Sequence, residues 1–202
     1  MINMIITISG KPGSGKSTVG KILAKKLGYD NFSTGDFMRQ MAEERDVTIL
    51  ELNKIAQKDA TIDEELDTRQ KHLGIENDNF VLDARLGYHF IPKSFKIFLD
   101  VNIDVAAQRI ASDTQESRNV EGVGSIADAK HKMQARLAEE KTRWQKIYQL
   151  NPFDLSQYDL VIDTTDIDVE HVIKRILLAL PNWQLGHLII DYNVGSNHDA
   201  VP

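Results

Sequence analysis

The chain has 202 residues and no cysteine, with 24 Lys+Arg against 30 Asp+Glu for a net charge of −6 at pH 7. Nucleic-acid and membrane-surface binding both draw on clustered basic charge, so an acidic chain without a Lys/Arg run argues against either partner. The missing cysteines exclude a disulfide scaffold, cysteine-ligated zinc and a thiol nucleophile, while 42% hydrophobic residues at this length suit one globular domain with a core of its own.

In chain order, Met4 to Ser9 is a short apolar, β-branched run. It reads as a strand and not a signal peptide, because no basic stretch precedes it and no small-residue cleavage site follows. No apolar run reaches the roughly 18 residues of a membrane span, and a cytoplasmic protein is expected. Gly10 to Gly15 is too glycine-rich to continue the strand. A helix is predicted from Ser17 to Leu27, with Val19, Ile22, Leu23 and Leu27 at helical spacing and Gly28 as its stop. A short second strand leads into Ser33-Thr34-Gly35-Asp36-Phe37-Met38-Arg39 and a further helix. Thr48/Glu51 and Thr61/Glu64 each place a Thr three residues before a Glu, the capping-box signature of two more helix starts.

Strands return at Phe80–Asp83 and Phe95–Val101, with a helix from Asp104 to Ala111 after the second. Residues 112–124 read as a mobile polar loop, residues 125–150 as a long helix, Leu160–Asp163 as the last core strand, and 169–180 as a helix stopped by Pro181. Beyond it, residues 187–192 are expected as an edge strand and 195–202 as a frayed end. Strands separated by helices imply a parallel sheet covered on both faces.

Gly10-Lys11-Pro12-Gly13-Ser14-Gly15-Lys16-Ser17 matches the phosphate-binding pattern G-x-x-x-x-G-K-[ST] in full, between a strand and a helix. Glycines permit a tight loop whose N–H groups point inward, and the helix start adds partial positive charge. Lys16 is placed to bridge two phosphates of a triphosphate, and the Ser17 hydroxyl to ligate Mg²⁺. The only Asn-Lys pair, Asn53-Lys54, lacks the following Asp of a guanine-specific site, which argues against a GTPase. Thr34 and the Gly35 backbone suit a second phosphate, with Arg39 one turn on. Asp83 ends an apolar strand as a metal-holding acid does, and Arg85 follows it. Arg136, Glu140 and Arg143 stand at i, i+4 and i+7, one face of the long helix. Six of the nine arginines (39, 69, 85, 109, 136 and 143) fall beside loops, strand ends or helix faces expected around one crevice, and guanidinium forks suit phosphate oxygens.

The segments GKPGSGKST, STGDFMR, LDTRQ, LDARLGYHFIPKSFKIFLD and ARLAEEKTRWQKIY together resemble the nucleoside monophosphate kinases, and within them the cytidylate kinases of the compact archaeal-type branch. The resemblance covers roughly Met4 to Leu180. It implies an α/β fold, a three-layer P-loop NTPase sandwich around a central parallel five-stranded sheet, with a helical NMP-binding insertion at about 34–75, a short lid at about 112–124, and a tail of unknown role from 181. It implies ATP and Mg²⁺ as cofactors, CMP or dCMP as acceptor, and a monomer. Lys11, Pro12, Gly13, Ser14, Gly15, Lys16, Ser17 and Thr18 would bind ATP, with Ser17 and Asp83 at the metal. Thr34, Gly35, Arg39 and Arg85 would hold the acceptor phosphate, and Arg69 would lie beside the cytosine. Arg109 would sit at the lid hinge near the donor phosphates, with Arg118 entering as the lid closes. Arg136 and Glu140 would meet ribose and phosphate, and Arg143 would bridge the transferred group. Lys16, Arg85, Arg109, Arg136 and Arg143 form the expected catalytic set.

Many bacterial cytidylate kinases have Gly-Arg-Asp where this chain has Ala84-Arg85-Leu86, so the acid that reads the cytosine amino group there is absent here. An acceptor other than CMP, AMP first, and a non-catalytic ATP-binding regulatory module therefore stand as alternatives.

Overall fold

Strand β1, Ile5–Gly10, is buried along its whole length, as a strand covered on both faces must be. A computed structural model describes residues 4–112 and 125–184. After β1 come helix α1 (Lys16–Leu27), β2 (Asp30–Ser33), α2 (Thr34–Glu43), α3 (Ile49–Ala56), α4 (Thr61–Glu76), β3 (Phe80–Asp83), the single turn α5 (Gly87–Phe90) and β4 (Phe95–Asp100). These are followed by α6 (Ile103–Ser112), α7 (Ile126–Tyr148), a 3₁₀ turn at Leu155–Gln157, β5 (Leu160–Asp163) and α8 (Val169–Gln184). The strands form one five-stranded parallel sheet in the order β2-β3-β1-β4-β5. β1 is central, and the loop that leaves it opens at the carboxyl edge of the sheet, where open α/β sheets bind their ligands.

The chain forms two compact units: Ser17–Lys96 with the strand residues before Gly10, and Gly10–Lys16 with the chain from Ile97 on. In the first, β1 pairs with β3 from Ile5 opposite Phe80 to Ile8 opposite Asp83, and β2 runs parallel along the other edge of β3. Phe32 stacks on Phe37 at 6.4 Å between centroids and meets Phe80 edge-on at 5.6 Å, which fastens α2 to the strands. Val19, Leu23 and Ala24 bury one face of α1. Helices α2, α3 and α4 make their own small core of Met41, Ala42, Leu52 and Ile62.

α3 starts with the expected capping box: Thr48 Oγ accepts from the Glu51 N–H, and Glu51 accepts from the Thr48 N–H at 2.8 Å. The second box does not form. Thr61 lies inside α4, Ala60 is the N-cap, and the Thr61 N–H donates to Asp59 Oδ1 at 2.9 Å. An Asp two residues upstream satisfies that donor first, as Asp side chains do in turns.

In the second unit β4 and β5 pair in register, with Asp100 opposite Asp163. Ser125 caps α7 by accepting from the Asp128 N–H, and Gln149 ends the helix in the left-handed conformation. α7 docks on α6 through Met133 against Val101 and Ala106. The expected stop at Pro181 is not observed, since α8 runs through it to Gln184. A proline in the last turn of a helix removes one backbone donor, the one that would bond the carbonyl four residues earlier, and leaves the rest of the ladder in place. Of the lid expected at about 112–124, Ser112 is the last residue of α6; the rest of it with Arg118, and the expected strand and frayed end beyond 184, lie outside the described residues.

Candidate functional site

The Gly10–Ser17 loop must offer N–H groups to an anion while its carbonyls find partners elsewhere, because a buried unpaired carbonyl is costly. The second unit supplies those partners. Lys16 Nζ donates to Gly10 O and Lys11 O, both at 3.0 Å, and the Ser14 N–H donates to Lys11 O at 3.3 Å. Arg109 Nη1 donates to Gly13 O at 3.4 Å, and the Thr164 hydroxyl lies 3.2 Å from Ser14 O. Lys11 pairs with Asp100 at 2.6 Å. Gly13 has φ +75°, and a Cβ there would lie 2.9 Å from both the Cβ and the carbonyl oxygen of Ala106 on α6. Gly15 has open space around it, so its φ of +87° alone demands glycine.

In the first unit the Ser17 hydroxyl donates to Asp83 Oδ2 at 2.6 Å, which joins the start of α1 to the end of β3. Asp83 is buried while Ser17 and Thr18 are exposed. Two hard oxygens so close suit Mg²⁺, which keeps several waters and substrate phosphates as ligands and needs no protein cage. Among the described residues no group of three or more His, Asp or Glu forms such a cage. Ser14 Oγ is buried without a hydrogen-bond partner among the described residues, a polar atom that a phosphate oxygen inside the loop would satisfy. The residues present fit both ATP and Mg²⁺.

The acceptor-side candidates of the first unit gather at the start of α2. Ser33 caps the helix by accepting from the Asp36 N–H. A Cβ on Gly35 would lie 3.6 Å from Arg39 Nη1, so the Arg39 guanidinium lies over Gly35 in the first turn, which Thr34 begins. Asp36 anchors Arg39 by an ion pair. Burial pushes the Asp36 carboxyl up, but hydrogen bonds from Ser33 and Arg39 outweigh it and hold it below the usual range. Arg69 bonds both Glu44 and Glu65, and Arg45 bonds Glu65, a four-membered network between the end of α2 and α4. The hydrogen bond to Glu44 raises the Arg69 pKa against the opposing effect of burial. Arg85 follows β3, and its Nε is buried without a hydrogen bond, although the residue has other interactions.

On α7, Arg136 Nε donates to Glu140 Oε1 at 3.0 Å, and Arg143 stands exposed farther along. Arg109 is spent on protein oxygens: besides Gly13 O it meets Thr164 O at 2.7 Å, Thr165 O at 3.2 Å and the Thr164 hydroxyl at 3.3 Å. The structure thus brings Arg39 to Gly35, Ser17 to Asp83, and Arg136 to Glu140. Thr164, Asp100, Glu44 and Glu65 escaped the sequence reading. The available signal was that β4 and β5, like β3, each end in an aspartate.

The profile of the Cytidylate kinase-like family matches residues 5–166. A cytidylate kinase of Methanothermobacter thermautotrophicus is 39% identical over 83% of this chain and 99% of its own length. Those of Methanobrevibacter smithii and Haloarcula marismortui are 36% and 38% identical, covering 88% and 89% of this chain and 98% and 91% of theirs. Among solved structures, a shikimate kinase from Bacteroides thetaiotaomicron superposes with a TM-score of 0.66 at 17% identity, over 89% of this chain and 99% of that one. At that identity the likeness bears on the fold alone.

Proposed function

The chain belongs to the Cytidylate kinase-like family, and from that premise we propose that it transfers the γ-phosphoryl group of ATP to CMP or dCMP, giving ADP and CDP or dCDP. One observation carries the reading. In addition to a complete phosphate-binding loop, the chain has Thr34, Gly35 and Arg39 gathered at a capped helix start, an acceptor-side set for which a mere ATP-binding module has no use.

At pH 7 the acceptor phosphate oxygen is already anionic. A new bond forms between it and the γ-phosphorus as the bond to the β,γ-bridging oxygen breaks, and ADP leaves with that electron pair. No general base is required, so the protein's work is alignment, charge neutralisation and exclusion of water. The Gly10–Thr18 segment holds the donor, with Lys16 on its phosphates. Ser17 and Asp83 would hold Mg²⁺, which supplies charge neutralisation on the phosphate oxygens when bound. Arg39 and Arg85 hold the acceptor phosphate, Arg69 lies beside the base, Arg136 oriented by Glu140 meets ribose and phosphate, and Arg143 neutralises the group in transit. All these groups come from one chain, which supports a monomer, and the net charge of −6 favours small nucleotides over nucleic acid or an anionic membrane as its partners.

A coupled ADP-release assay across CMP, dCMP, UMP, AMP, GMP and dTMP decides the acceptor. CMP or dCMP is expected to lead. Preference for AMP identifies the adenylate alternative, and no response to any pyrimidine monophosphate overturns the proposal.

A further inference from the structure

The phosphate-binding loop is shaped from behind by a residue that the function above does not use. Thr164 follows β5 and is 2% exposed. Its N–H donates to Asp100 O at 2.9 Å. Its hydroxyl lies 2.9 Å from the same Asp100 O and 3.2 Å from Ser14 O, and receives Arg109 Nη1 at 3.3 Å. A hydroxyl has one proton. The hydroxyl therefore shares its proton between Asp100 O, which also accepts from the Thr164 N–H, and Ser14 O, for which the hydroxyl supplies the donor from the β5 side. Arg109 holds the preceding carbonyl, Gly13 O, at 3.4 Å while its other fork is fixed on Thr164 O and Thr165 O.

The peptide bonds here are trans, so each carbonyl and the following N–H point in opposite directions. Pinning Gly13 O on Arg109 turns the Ser14 N–H the other way, where it meets Lys11 O. Pinning Ser14 O on Thr164 likewise turns the Gly15 N–H away from β5. We propose that Thr164, with Arg109 behind it, is a positioning residue for the donor nucleotide: the pair sets the peptide planes of Gly13 and Ser14 so that the Gly15 N–H is presented to a phosphate before ATP arrives. The proposal rests on reading Gly10–Ser17 as the donor-phosphate loop. Preset donors cost no reorganisation on binding, which is how oriented N–H groups gain their effect. Threonine suits the task because its β-branch restricts χ1 and so fixes where the hydroxyl points.

The test is kinetic. Thr164→Val keeps the shape and removes the donor that Ser14 O has from the β5 side. The KM for ATP should rise about tenfold and the KM for CMP stay within about twofold. Thr164→Ser should restore the ATP value to within about threefold of the unaltered chain. Arg109→Lys keeps the charge but cannot span Gly13 O and Thr165 O together, and should mimic Thr164→Val. Since both act through one loop, the double variant should be no worse than about the worse single one.

The proposal is overturned by an ATP KM within about twofold of the unaltered chain in Thr164→Val, by equal rises in both KM values, or by singles whose effects multiply in the double variant. If Thr164→Val fails to fold by circular dichroism, the Ser and Arg109→Lys variants carry the test through the same KM split. If the unaltered chain phosphorylates no monophosphate, the acceptor reading fails, while titration of ATP binding in the same variants still decides the role of Thr164.

Discussion

Arg143 and Arg136 sit two turns apart on α7. Arg136 donates to Glu140 at 3.0 Å, and Arg143, seven residues on, lies on the same face of the helix. In the proposed reaction Arg143 neutralises the group in transit, charge that develops only in the transition state. Arg143→Ala is therefore expected to lower kcat on the order of 10³-fold with ATP affinity nearly unchanged. Single-turnover kinetics beside ATP titration checks this, and unchanged turnover would remove Arg143 from the site. Asp83→Asn leaves Ser17 a neutral partner in place of a carboxylate 2.6 Å away. It should raise the Mg²⁺ concentration for half-maximal rate by about tenfold or more, with little effect on the KM for CMP. At this scale the loop was legible because its chemistry lies in eight consecutive residues. Its supports were not, because Thr164 is 150 positions from Ser14 and Arg109 is 96 from Gly13, and no local pattern links residues so far apart.

Helices α2 and α4 are tied by Arg45, Arg69, Glu44 and Glu65 at their surface and by Met41, Leu52 and Ile62 beneath. The Arg45 hydrogen bond, set against burial and joined by Arg69, holds the Glu65 carboxyl below its usual 4.5. A carboxyl depressed in the folded state stabilises fully above its unfolded pKa and loses that contribution as pH falls through the lower folded value. The stability advantage of the unaltered chain over Glu65→Gln should thus be constant above about pH 5, shrink below about pH 4.5, and stay near 1 kcal/mol or less, because the pair is partly solvated. Urea titrations at several pH values measure it; an advantage that grows on acidification would contradict the assignment. Leu52→Ala, which empties a site of 0% exposure, is expected to cost about 2–5 kcal/mol. Strands β3 and β5 were legible to the residue, since short apolar runs ending in Asp admit little else. The Thr61 box and the Pro181 stop were not, because each depends on a competitor that pattern alone does not rank: Asp59 for the Thr61 N–H, and for the proline the packing of α8 through Ala179 and Leu180 just before it.

Across the whole molecule, the family match ends at residue 166, three residues before α8 begins. Helix α8 nonetheless buries Val172, Ile173, Ile176 and Leu180, each 6% exposed or less. Fully burying an aliphatic side chain of this size contributes about 1.5–3 kcal/mol, so four of them weigh as much as a typical domain's entire net stability of about 5–15 kcal/mol. The helix is therefore part of the fold the site stands on, although no candidate site residue lies on it. The same arithmetic separates two truncations. Ending the chain after Asp168 should abolish cooperative unfolding and activity together. Ending it after Gln184 keeps every one of these buried side chains and should leave kcat/KM for ATP and CMP within about twofold and Tm within a few degrees. Loss of activity in the longer form with its melting transition intact would show instead that residues 185–202 contribute to the site or to assembly, and that chemistry extends beyond the family's shared core.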